Sequence, residues 1–119
     1  MAAKADIIVD QGTTFNITLY LTNNAGQPLD LTGNSVKAQI RKWYTSTTSI
    51  DFTSTILSPS TNGVIELSLN ANTTAGMSFG RYVYDVITTD SGGTVTRVVE
   101  GQLTVTPEVT HIVGVTYGN

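Results

Sequence analysis

The run Arg41-Lys42-Trp43-Tyr44 is the densest grouping of cationic and aromatic side chains in the sequence. Arginine and tryptophan present a large contact area with little loss of rotamer freedom, so such a run suits a protein-contact hot spot or a platform for a sugar ring. The architectural alternative is that Trp43 caps one end of a β-sandwich while Arg41 and Lys42 stay solvated. A second aromatic group, Tyr82 and Tyr84, follows Gly80 at period-two spacing in GRYVYDV. Both rings then share the face of Val86. A tyrosine at the start of a strand that follows a strand-to-strand connection often bonds its hydroxyl to the upstream backbone, so Tyr82 is expected at a fold corner and Tyr84 in the core. A ligand platform is the competing reading.

Catalytic chemistry has no comparable grouping. His111 is the single histidine and stands far along the chain from any serine framed as GxSxG. The carboxylates are dispersed: Asp6 and Asp10 flank one strand, Asp30 ends a turn, and Asp85, Asp90 and Glu100 surround a hairpin. None follows the spacing of a calcium loop, and no glycine-rich loop precedes a helix to cradle phosphate. With no cysteine there is neither a disulfide nor a thiolate metal site. A non-enzymatic protein without cofactor or metal is expected. Asn16 and Asn72 match the glycosylation pattern, which a threonine-rich chain meets by chance.

The elements that must position these residues are strands. Alternation places Phe15, Ile17, Leu19 and Leu21 on one face, then Val36, Ala38 and Ile40, then Ile50, Phe52 and Ile56, then Ile65, Leu67 and Leu69. In SVKAQIRKW the outward set is Lys37, Gln39, Arg41 and Trp43. Turn chemistry separates the runs at NNAGQPLD, SPSTNG and DSGG, the last of these a hairpin signal. Gly101 within the final strand suggests a bulge, and ANTTAGMSFG has room for only a turn or two of helix, as a connection between sheets. With DIIVD, about seven short strands result, the expectation being an all-β, immunoglobulin-like antiparallel β-sandwich.

One domain accommodates 119 residues. Its sandwich is expected over 1–106, with 107–119 as a C-terminal extension, because Pro107 cannot donate to a ladder. The extension carries Val109, Ile112, Val113, Val115 and Tyr117, too apolar for a segment meant for water. It either returns to its own sheet as an edge strand or adds a strand to a neighbouring subunit, the second being preferred as a docking mode. The net charge of -3 argues against nucleic acid. No run of 18 apolar residues or signal-like start occurs, so a soluble, unprocessed protein without a membrane partner is expected. Only 13% of residues are charged against about 25% in an ordinary soluble domain, and the Thr, Ser and Asn that replace them are cheaper to cover with a partner.

Three blocks in order, VDQGTTFNITLYLTNNAGQPLDLTGNSVKAQIR, NGVIELSLNANTTAGMSFGRYVYDV and GTVTRVVEGQLTVTPEVT, resemble a structural domain of tailed bacteriophages. It is the immunoglobulin-like module at the amino end of upper baseplate proteins. The resemblance implies an accessory virion protein, a capsid decoration or a neck, tail or baseplate subunit, made in the host cytoplasm. It implies binding to other virion subunits and a symmetric homo-oligomer in the particle. Arg41, Trp43, Tyr44, Ile112, Val113, Val115 and Tyr117 are the expected partner-binding residues. The alternative is a carbohydrate-binding module that stacks sugars on Trp43, Tyr44, Tyr20 or the paired tyrosines.

Overall fold

Period-two patterning becomes strands wherever the apolar face finds a second sheet to bury against. A computed structural model describes residues 3–110. Among the described residues the strands are β1 (Ala3–Lys4), β2 (Ile7–Asp10), β3 (Phe15–Tyr20), β4 (Ser35–Arg41), β5 (Ile50–Asp51), β6 (Thr53–Ile56), β7 (Val64–Leu69), β8 (Gly80–Thr89) and β9 (Val95–Thr106), with one α-helix, α1 (Ala71–Ala75), and a 3-10 turn at Ser60–Asn62. The larger sheet runs β1-β9-β8-β4-β5 with β2 also on β9; the smaller runs β3-β7-β6. Their facing sides hold the core, with Val9, Ile40, Val86, Leu103 and Val105 from one and Leu19, Ile65, Leu67 and Leu69 from the other. The architecture is an all-β, immunoglobulin-like sandwich.

Nine strand segments reduce to seven runs. β1 and β2 follow β9 in one register, Ala3 opposite Val99 and Ile7 opposite Leu103, so they are one edge interrupted at Ala5 and Asp6. This pairing is parallel, whereas every other strand pairing among the described residues is antiparallel. The expected single strand through IDFTSTIL instead changes sheets: Ile50 pairs with Ile40 in the larger sheet and Thr53 with Ser68 in the smaller. At the crossing the Phe52 ring is buried, 6.3 Å from Phe15 and edge-on to Tyr84 at 6.1 Å.

Gly101 departs from the expected bulge. The register shift lies between Val86 and Ile87, which oppose Val99 and Arg97 and leave Val98 as the extra residue. Gly101 admits the backbone of Ala5, whose carbonyl oxygen a Cβ at 101 would approach to 2.1 Å. The edge dips inward here, and the Asp6 carboxylate accepts the Gln102 N–H at 3.0 Å in place of a ladder carbonyl. The Tyr84 hydroxyl, opposite Gly101, donates to the Ala5 carbonyl and covers the gap.

The connection from β7 to β8 is also locked from inside. The Asn70 side chain caps α1 by accepting the Thr73 N–H at 2.8 Å. Buried Thr74 donates its hydroxyl to the Thr13 carbonyl at 2.7 Å, and Gln11 Nε2 donates to the Met77 carbonyl at 2.8 Å. These bonds tie α1 to the β2–β3 turn and set where β8 begins. At the opposite end of the sandwich, Asp90 turns the last hairpin by accepting from the Gly92 and Thr94 N–H groups, both at 2.9 Å.

Candidate binding surface

Strand β4 ends at Arg41, so Trp43 lies in the following loop and not on the strand's outward face. The sheet loses its hydrogen-bond pattern there because the chain turns, the Ser46 N–H donating to the Trp43 carbonyl at 3.0 Å. Arg41 organises this loop. Its Nη1 donates to the Ser46 carbonyl at 2.7 Å and more weakly to that of Thr48 at 3.4 Å, while Nη2 donates to Gln39 Oε1 at 3.2 Å. Gln39 in turn donates to Asp51 at 2.8 Å, anchoring the guanidinium to the sheet edge. The loop presents Trp43 at 59% and Tyr44 at 73% exposure.

Phe79, just before β8, is 64% exposed at the same end of the sandwich. Between these aromatics, the Lys42 ammonium sits 4.6 Å above the Tyr82 ring. The glycine at 80 brings that ammonium within 3.1 Å of where a Cβ would stand. This end therefore carries three exposed aromatic rings and one cation held by a buried tyrosine.

The paired tyrosines themselves are internal. Tyr82 donates its hydroxyl to the Ser78 carbonyl at 2.8 Å, four residues upstream, as a corner tyrosine does. Tyr84 is 3% exposed, and burial followed by the nearby Asp6 carboxylate pushes its hydroxyl up to about 12. Neither ring offers a face for stacking a ligand.

A shallow depression of about 230 Å³ lies on the outer face of the larger sheet. Val83 and Ile87 form its floor, with Arg41 and Tyr44 on one side. On the other side Arg97 bridges Asp85 at 3.2 Å and Glu100 at 3.5 Å. These are half-exposed pairs whose worth to stability is small. They balance charge around an apolar floor and leave Tyr44 as the free aromatic wall.

Of the expected site residues, Arg41, Trp43 and Tyr44 come together on one loop, with Arg41 as its internal support. Ile112, Val113, Val115 and Tyr117 lie outside the described residues, as does His111. Phe79 and the Asp85–Arg97–Glu100 group were not foreseen. Phe79 had a local signal, a large apolar residue between polar Ser78 and Gly80; the charged group had none, because three residues on two strands meet only through the register.

No family model matches the chain, and no curated protein matches it. Among solved structures it is similar to a chicken TCR, at 15% identity over 92% of this chain and 55% of that one, with a TM-score of 0.51. It is also similar to an internalin-like protein of Listeria monocytogenes, at 20% identity over 88% of this chain and 28% of that one, TM-score 0.48. A third is the SrpA adhesin of Streptococcus sanguinis, at 10% identity over 86% and 55%, TM-score 0.48. The chain thus spans between 28% and 55% of these matched chains. At such identity the likeness to the chicken TCR speaks to fold alone, and together with the two packed sheets it shows an immunoglobulin-like β-sandwich.

Proposed function

We propose that this chain is a non-enzymatic structural protein of a tailed-bacteriophage virion, an accessory subunit of the capsid, neck, tail or baseplate. It binds other virion proteins through the end that carries Trp43, Tyr44 and Phe79. The observation behind this reading is the presentation of that end: Arg41 spends its hydrogen bonds holding a loop whose two aromatic rings face solvent. Exposed rings on a fixed support are the usual anchors of protein contacts, since little side-chain freedom is lost on binding. The sequence resemblance supplies the phage context. The low charge lowers the desolvation cost of a covered position in a symmetric assembly.

The test is mass spectrometry and sedimentation of particles made with the unmodified chain and with Trp43→Ala/Tyr44→Ala. The chain should co-purify at a copy number matching a particle symmetry, and the double variant should stay in the soluble fraction. Absence of the unmodified chain from the particle refutes the virion role. Normal incorporation of the variant moves the contact elsewhere. A carbohydrate-binding role is the second reading, favoured by Tyr44 standing beside the depression on the larger sheet. Glycan binding lost in Tyr44→Ala but kept in Phe79→Ala would establish it.

A further inference from the structure

Register alone orders the outer face of the larger sheet. Lys4 opposes Glu100, Glu100 opposes Asp85, Asp85 opposes Gln39 and Gln39 opposes Asp51, so one polar row crosses the five strands β1, β9, β8, β4 and β5. On β8, where Tyr82, Tyr84 and Val86 turn inward, the alternate residues Val83, Asp85 and Ile87 turn outward. Asp85 therefore stands between two apolar side chains at the bottom of the depression of about 230 Å³. Tyr44 borders it from the loop that Arg41 holds, with its ring exposed.

The charged groups around this floor are fixed in place and only partly used. Arg97 spends Nε on Asp85 Oδ2 and Nη1 on Glu100 Oε1. Among the described residues, Asp85 Oδ1, Glu100 Oε2 and Arg97 Nη2 have no partner. Arg41 is committed to its loop and to Gln39, and Gln39 to Asp51. What is left for a ligand is two carboxylate oxygens that accept, one guanidinium nitrogen that donates, two apolar side chains and the face of a ring. The lining holds two cations, Arg41 and Arg97, and two carboxylates, Asp85 and Glu100, so its formal charge cancels. Lys4 and Asp51 at the two ends of the row cancel in the same way.

We propose that this depression binds one uncharged pyranose unit of a glycan, with Tyr44 covering the C–H face of the sugar ring and Asp85, Glu100 and Arg97 bonding its hydroxyls. The cancelled charge selects an uncharged sugar. A ligand carboxylate would have to displace Asp85 or Glu100 from Arg97, and a cationic ligand would have to draw both carboxylates away from it. Hydroxyl groups donate and accept at once, so they use the unpaired carboxylate oxygens and the unpaired guanidinium N–H groups without breaking either ion pair. The C–H face of the sugar is apolar and meets Val83, Ile87 and the electron-rich face of Tyr44. The hollow is smaller than the roughly 300–1,000 Å³ of sites for drug-sized ligands, which limits it to a single ring. The site is the one named for the carbohydrate role and depends on that role, not on attachment to a particle.

An array of neutral and sialylated glycans, probed with the full chain, tests this first. Binding to neutral glycans is expected. Binding confined to sialylated glycans leaves the carbohydrate role standing and overturns the proposal, whereas binding to none overturns both. Nuclear magnetic resonance titration with the best neutral glycan then locates the site: the Val83 and Ile87 methyl signals should shift, and shifts confined to Trp43 and Phe79 overturn the placement. Tyr44→Ala should weaken binding about tenfold, the worth of one aromatic contact, while Tyr44→Phe should bind as the unmodified chain does. Unchanged affinity in Tyr44→Ala, or an equal loss in Tyr44→Phe, overturns the stacking role of the ring.

Discussion

The paired tyrosines of β8 and the aromatics of the neighbouring end make opposite use of similar side chains. Tyr82 and Tyr84 stand on a central strand, where alternation drives both rings inward and each hydroxyl finds a backbone carbonyl. Trp43, Tyr44 and Phe79 stand where strands stop, and their rings face solvent. Aromatic content alone does not mark a binding site in a sandwich. What matters is whether the ring is on a strand, where the pleat assigns it to a layer, or beyond the strand's end, where no layer claims it. Substitutions of the first set should act on stability and those of the second on attachment.

The largest separation is expected from Tyr84→Ala, which leaves a cavity between Phe52 and Ala5 and should cost about 4 kcal/mol by urea denaturation. A loss below about 1 kcal/mol would place Tyr84 outside the core. Next comes Gly101→Ala, whose methyl meets the Ala5 backbone and should cost about 2–3 kcal/mol, because the β1–β2 edge must move off β9. An unchanged midpoint would mean that this edge is not seated as described.

The pH dependence sharpens the same contrast. The Tyr84 hydroxyl titrates at about 12 in the fold against an ordinary value of about 10, so the folded protein holds this proton more tightly. Its contribution is fully present below about pH 10 and is lost as pH rises towards about 12. Urea midpoints across that range should fall less steeply in Tyr84→Phe than in the unmodified chain, and parallel curves would remove Tyr84 as the cause.

Tyr82→Phe gives a smaller effect, about 1 kcal/mol, for the loss of one hydrogen bond with the ring and the Lys42 contact retained. Smallest of all in stability is Trp43→Ala, within about 0.5 kcal/mol, since the ring covers little core. Should Trp43→Ala unfold the domain while Tyr84→Ala merely weakens attachment, the division between the two aromatic sets would be reversed.

The corner tyrosine was legible because its position after the β7–β8 connection and its period-two partner are both local facts. The Asp90 hairpin and the α1 turn were legible for the same reason. The role of Gly101 was not: a strand glycine marks either a bulge or a close approach, and only the partner backbone distinguishes them. The change of sheet at Phe52 was hidden because Ile50, Phe52 and Ile56 keep one alternation through it.

Alternation and turn residues by themselves pointed to a sandwich of about seven runs, to most of its inward residues and to the shared face of Tyr82 and Tyr84, because each follows from the geometry of a single strand. The tertiary structure alone decided the parallel seat of β1 and β2, the support of the Trp43–Tyr44 loop by Arg41, and the place of β3 at the end of the smaller sheet among the described residues. These depend on which strands become neighbours, and neighbour choice follows from burying both sheets together, a condition that no stretch of sequence expresses by itself.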